Sequence, residues 1–200
     1  GVSAEVLKAE LDAVGGDITQ TPRFKEWFGD SKVVDEDGNP LVVYHGSVGT
    51  DQIEVFDTSR VTARTERGDE AGAYFTSDQQ KAASYARSPI GTPKEMRTRG
   101  RTYAAYISIK NPLDITDDIA VSQAAGMSFG DAKRKALENV DRARHDGVIF
   151  RGDDFNSDEY IVFEPTQIKS VTNRGAFDPA SDNILFQDSV ENKRETKQDE

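Results

Sequence analysis

The sequence contains no cysteine, which excludes a disulfide framework and a thiolate metal site. Its two histidines, His45 and His145, are too few for a histidine-only zinc centre. No stretch approaches the roughly 20 consecutive apolar residues that cross a bilayer, and no basic segment followed by an apolar run opens the chain. We therefore expect no metal, no membrane association and a reducing, cytoplasmic setting. A glycine-rich turn of the dinucleotide-fold type is missing as well, so any dinucleotide has to be held in another way. Positive charge is also in short supply. With 25 Lys and Arg against 36 Asp and Glu, the net charge of −11 repels phosphate backbones and argues against broad, sequence-blind nucleic-acid binding. Two local clusters, Arg60, Arg64 and Arg67, and Lys94, Arg97, Arg99 and Arg101, remain able to meet a phosphorylated ligand or simply to face solvent.

What is present fits one domain with short appendages, because 200 residues support a full core but would cramp a second one. Residues 1–20 read as an N-terminal helix and linker: Val6, Leu7, Leu11 and Val14 recur at helical spacing until Gly15-Gly16 stops them. The body spans 21–186. Residues 187–200 are almost wholly polar and predict a disordered tail. Within the body, Thr21-Pro22 opens a helix with Phe24, Trp27 and Phe28 on one face and Gly29 at its end. Residues 33–44 read as a hairpin around the turn at Asp37-Gly38-Asn39, delivering His45-Gly46-Ser47. Val55-Phe56 is a short strand or an anchor, and Ala73-Tyr74-Phe75 is strand-like. Ser77 and Gln80 suggest a capping box for a helix running to about Arg87. Further strands are expected at 103–109, 113–115 and 148–150. Residues 117–145 read as helical, with a break near Gly126, a new start at Ser128 and an end at Gly147. Asp158-Glu159-Tyr160-Ile161-Val162-Phe163 is a buried strand closed by Pro165, and Ile184-Leu185-Phe186 an apolar plug. Helices interspersed among strands without regular alternation indicate an α+β fold, a mixed sheet with flanking helices.

Three stretches can carry chemistry. Glu159 stands at the mouth of a buried strand, where the sheet would fix its carboxylate, although a strand end is also an ordinary place for a charge. Tyr74 leaves a strand, and the helix after it puts Ala82, Tyr85 and Ala86 on one face. That carries Tyr85 back toward Tyr74. Two rings with a gap can grip a flat cationic ligand, and two core tyrosines would give the same pattern. His45-Gly46 at a strand end offers an imidazole and a close backbone approach, or a structural hydrogen bond.

In the order His45, Tyr74, Tyr85, Glu159 these stretches resemble the ADP-ribosyltransferase superfamily, in the His-Tyr-Glu branch that includes diphtheria toxin and the poly(ADP-ribose) polymerases. The matching residues are Tyr44-His45-Gly46-Ser47, then Gly72-Ala73-Tyr74-Phe75 with Tyr85 eleven positions after Tyr74, then Glu159-Tyr160-Ile161-Val162. Over 21–186 the chain is similar to the ADP-ribosyltransferase-like domains of phage and prophage polyvalent proteins. Phe28-Gly29-Asp30-Ser31-Lys32-Val33-Val34, the run from Phe163 to Ser170, and Asn183-Ile184-Leu185-Phe186 carry that likeness. The resemblance implies a split mixed sheet and NAD+ as substrate without a metal. It gives His45 the adenosine ribose and Gly46 the nicotinamide carboxamide, with Ser47 beside them in the cofactor site. Tyr74 and Tyr85 would sandwich the nicotinamide. Glu159 would hold the ribose 2′-hydroxyl and stabilise the cation that forms as the glycosidic bond breaks, a task suited to a fixed carboxylate.

Two departures bear on the acceptor. Ala82 stands where many polymerases have a serine, and Ser157, two positions before Glu159, replaces the Glu or Gln of arginine- and asparagine-modifying relatives. The resemblance therefore supports the cofactor and the reaction but not the acceptor; the expected activity is transfer of one ADP-ribose to a macromolecule, a protein in the first place and nucleic acid in the second. An NAD+ glycohydrolase, a non-catalytic module with the same fold and, more distantly, a nuclease built on His45 and His145 are the alternatives. His145-Asp146-Gly147 also reads as a helix end, where a cation suits the dipole.

Overall fold

The computed structural model describes residues 3–59, 71–88, 92–94, 100–152, 157–173 and 176–185. Arg60, Arg64, Arg67, Arg97, Arg99, Phe186 and the tail 187–200 lie outside the described residues.

Seven strands form one mixed sheet: β1 (Val43–Ser47), β2 (Ala73–Thr76), β3 (Arg101–Ile107), β4 (Pro112–Asp114), β5 (Gly147–Phe150), β6 (Glu159–Val162) and β7 (Ile168–Ser170). Their order is β4-β5-β6-β2-β1-β3-β7. Only β4 and β5 run parallel, and the chain crosses between them through helices α4 (Thr116–Ala124) and α5 (Phe129–Leu137), since a parallel pair needs a long crossover. Helices α1 (Ala4–Ala13), α2 (Pro22–Phe28) and α3 (Gln79–Tyr85) complete the α+β arrangement.

The sheet is tightly laddered on either side of one weak seam. β1 and β3 share five register pairs from Val43↔Ala105 to Ser47↔Arg101, and β2 pairs with β6 along its whole length. β1 and β2 meet only at Tyr44↔Thr76. Beyond that pair the two strands part, and the expected split lies there.

Period-two alternation sends β6 side chains to two cores. Tyr160 and Val162 join Val43, Phe75, Ile107, Ile149 and Ile168 on one face. Ile161 and Phe163 join Val148 and Phe150 on the other, under Ile119 of α4 and Ala132, Ala136 and Leu137 of α5. A third cluster forms where Phe24, Trp27 and Phe28 of α2 meet Phe177. Phe56 and Ile184 are buried anchors in the first core. α1 buries only Leu7 and is tied on by Glu10 and Arg23 at 3.0 Å.

Four local expectations are corrected. The hairpin at 33–44 is reduced to one isolated bridge, Val34↔Pro40, with Asp35 accepting from Asn39 and Asp37 N–H groups to make the turn. The cap of α3 is Asp78, whose carboxylate accepts from the Gln80 and Lys81 N–H groups, because Ser77 is engaged elsewhere: its Oγ accepts from Asp158 N at 2.8 Å. α5 ends at Leu137, so Val140 and Ala143 follow it and Gly147 begins β5 instead. On α3, Ala82 and Ala86 are buried whereas Tyr85 is 45% exposed, which puts the tyrosine off the buried stripe.

Candidate functional site

Glu159 opens β6 in register with Thr76 of β2 and Phe150 of β5, and alternation places it on the face with Ile161. Its carboxylate meets two lysines. Lys133 of α5 donates from Nζ to Oε1, and Lys81 of α3 brings Nζ to 3.9 Å from Oε2. The Lys81, Lys133 and Glu159 side chains are 8%, 14% and 16% exposed, so the carboxylate is compensated largely out of water by two ammonium groups, and the cluster keeps a net positive charge. Lys81 Nζ also lies 3.5 Å from Ser157 Oγ, which in turn is 3.4 Å from Thr76 Oγ1. The carboxylate is thereby fixed from both sides.

The adjacent Asp158 has a separate duty. It accepts from Arg151, from the Gly152 N–H and from the Tyr160 hydroxyl at 3.1 to 3.2 Å, and so ties the loop before β6 to the strand. Burial, reinforced by the negative Asp158, pushes the Tyr160 hydroxyl pKa upward; it remains a neutral donor.

Tyr74 pairs in register with Ile161 and packs half-buried against the second core. Lys133 Nζ stands over its ring, 5.2 Å from the centroid. One ammonium thus touches both the carboxylate of Glu159 and the face of Tyr74.

His45 lies across the seam. Its Nδ1 is 2.7 Å from the Tyr74 carbonyl oxygen, and because a carbonyl only accepts, Nδ1 carries the proton and Nε2 keeps its lone pair. Burial lowers the His45 pKa more than that bond raises it. The imidazole is therefore a neutral acceptor at Nε2, held among Phe56, Phe75 and Tyr103 with ring centroids 5.0 to 6.4 Å away.

Gly46 is required by packing whatever else it does. A Cβ there would overlap the carbonyl oxygen of Ala82, so α3 sits directly on β1 at this point. Gly100 plays the same part next door, where a Cβ would overlap Ser47 O, and its N–H donates to Ala86 O at 3.0 Å. Ser47 ends β1 opposite Arg101, and its Oγ accepts from Gly49 N.

The structure bonds the His45 ring, which packs with Phe56 and Phe75 of the first core, to the Tyr74 backbone, and on the other face links the Tyr74 ring to Glu159 through Lys133. Tyr85 sits at the C-terminal end of α3 with its ring half in solvent. Lys81 and Lys133 were not singled out from the sequence. The signal for Lys133 is its place beside the Ala132, Ala136, Leu137 stripe of α5, which makes it a margin residue of the buried face.

A family described as ADP-ribosyltransferase in polyvalent proteins matches residues 35–177. The chain belongs to this family. Comparison with curated proteins and with solved structures gives no match. The match takes in β1 to β7 and every candidate residue from His45 to Glu159. The mixed, seam-split sheet is consistent with an ADP-ribosyltransferase fold, and ADP-ribosyltransferases use NAD+ as the donor. Among the described residues no cluster of three or more His, Asp or Glu could hold a metal, and no helix is long and apolar enough to cross a membrane.

Proposed function

We propose that the chain cleaves the nicotinamide–ribose bond of NAD+ and transfers one ADP-ribose to a macromolecular acceptor, a protein, in the cytoplasm, with 21–186 as the catalytic unit. The observation that carries this reading is the Glu159 carboxylate, fixed at the mouth of β6 on the same sheet face as Tyr74, with neutral His45 bonded to the Tyr74 carbonyl across the seam.

In this reading His45 Nε2 accepts from a hydroxyl of the adenosine ribose, and the Gly46 backbone meets the carboxamide. The nicotinamide lies between Tyr74 and Tyr85. Glu159 accepts from the 2′-hydroxyl of the nicotinamide ribose. As the C1′–N bond breaks, its electron pair goes to the ring nitrogen and neutralises the pyridinium, while positive charge appears on the sugar. A carboxylate already in place stabilises that charge without having to reorganise, and so acts more strongly in the transition state than in the bound substrate. The acceptor then bonds to C1′ and gives up its proton to water, so that nicotinamide and one proton leave for each ADP-ribose transferred. Lys81, on the second carboxylate oxygen, keeps Glu159 from turning away.

Incubation with labelled NAD+ and a bacterial lysate tests this, with free nicotinamide and label on protein, RNA and DNA assayed separately. Label on protein is the expected result. Nicotinamide release without labelled macromolecule would replace transfer by hydrolysis of NAD+, and neither product would leave a binding module.

A further inference from the structure

Lys133 makes two contacts that the reaction cannot share. Its ammonium bonds the Glu159 carboxylate and stands over the Tyr74 ring, the two groups that the reading above assigns to the 2′-hydroxyl and to the cationic pyridinium. We propose that Lys133 sets the affinity of the site for NAD+ by competing, as an internal cation, for the place of the substrate's cationic end. This inference rests on the proposed NAD+ reaction.

Two positive charges cannot occupy one ring face and one carboxylate at van der Waals distance, since like charges repel most strongly where water is excluded. Either Lys133 or the pyridinium holds the position. Withdrawal of Lys133 is local. Its long, flexible stem springs from α5, which stays anchored through Ala132, Ala136 and Leu137, and Lys133 itself lies at the margin of the buried face. Glu159 is not orphaned when Lys133 leaves, because Lys81 stays near Oε2. The protein therefore alternates between a Lys133-in and a Lys133-out arrangement, and only the second admits NAD+. Apparent affinity is the intrinsic affinity multiplied by the fraction that is out. The competition also selects against weak cationic or purely aromatic ligands, which cannot displace an ammonium held by a carboxylate.

The test measures NAD+ affinity by calorimetry, together with KM and kcat for nicotinamide release, in the parent, Lys133→Met and Lys133→Arg. Met keeps the length and the apolar contact with Tyr74 but cannot pair with Glu159; Arg keeps the charge. Lys133→Met should bind NAD+ about tenfold more tightly, with KM falling to match. Lys133→Arg should stay close to the parent. Unchanged or weaker binding in Lys133→Met, or a fall in kcat at constant KM, would overturn the proposal and make Lys133 a support for Glu159. If Lys133→Met melts far below the parent, Lys133→Gln carries the same comparison. Should the parent bind NAD+ while the Met and Gln variants gain nothing, only the competition fails. Should no variant bind NAD+, the donor reading fails and takes this proposal with it.

Discussion

His45 Nδ1 lies 2.7 Å from the carbonyl oxygen of Tyr74, joining β1 to β2 where their ladder has already ended at Tyr44↔Thr76. The bond fixes the tautomer, and burial keeps the ring neutral. Its pKa is lowered in the folded chain, whereas an unfolded histidine titrates near 6.5. Above about pH 6.5 neither state binds a proton and the group contributes nothing to pH dependence. Below it the unfolded state binds more protons than the folded one, so stability falls with falling pH until the lowered folded value is passed. Urea melts of the parent should therefore lose stability as the pH falls below about 6.5 more steeply than melts of His45→Gln. Parallel curves would remove the buried neutral histidine from the account.

The two tyrosines should separate when stability and binding are measured together. Tyr74 packs against the second core, so Tyr74→Ala should cost roughly 2 to 4 kcal/mol of folding stability. Tyr85 is 45% exposed, and Tyr85→Ala should cost under about 1 kcal/mol. Both should weaken NAD+ binding by roughly 1 to 3 kcal/mol, the scale of a lost aromatic stack. Unchanged NAD+ affinity in Tyr85→Ala, read by calorimetry on folded protein, would leave a one-sided site.

Gly46 offers a check on how closely α3 lies on the sheet. The obstacle to a Cβ is backbone, the Ala82 carbonyl, which cannot turn aside as a side chain would. Gly46→Ala should lower stability by roughly 1 to 3 kcal/mol and also reduce NAD+ turnover, since α3 carries both Lys81 and Tyr85. A melting curve superimposable on the parent's would show that the helix has room to move.

Much of the fold was legible because local signals agreed. Thr21-Pro22, Ser128 and the alternation of β6 each behave in the structure as their chemistry dictates. The hairpin at 33–44 misled because a good turn does not guarantee strands. Leu41 lends its N–H to the Val33 carbonyl and the ladder goes no further, as β1 takes its partners from β2 and β3. The order His45, Tyr74, Tyr85, Glu159 was visible as residue types. The lysines were not, because a lysine on an amphipathic helix ordinarily faces water, and only the docking of α3 and α5 on the sheet turns Lys81 and Lys133 toward Glu159. Lys169 escaped notice because a lysine in a strand ordinarily faces water as well. It is fully buried in β7 with Nζ donating to Ser181 O at 2.5 Å, and burial pushes its pKa down to about 8.

The final prediction separates the two glutamates that flank β6. Glu159 lies on the face of Ile161 and Phe163, with its carboxylate held by Lys133 and Lys81. Glu164 lies past the end of the strand, exposed, and closes the short turn Pro165–Gln167: its backbone carbonyl accepts from the Gln167 N–H at 3.1 Å while its own N–H donates to Gln167 Oε1 at 2.9 Å. In the proposed reaction Glu159 meets a developing cation, whereas Glu164 finishes a turn through its backbone. Glu159→Gln keeps the shape and one acceptor but removes the charge, so nicotinamide release should fall by roughly 100-fold or more, the scale of a lost preorganised electrostatic partner. NAD+ affinity should change far less, because the ground state carries its positive charge on the ring nitrogen rather than on the sugar. Glu164→Gln should keep turnover within a few-fold of the parent and lose at most about 1 kcal/mol of stability, because its side chain is exposed. Full activity in Glu159→Gln beside an inactive, folded Glu164→Gln would reverse the assignment and with it the face of β6 on which the chemistry is placed.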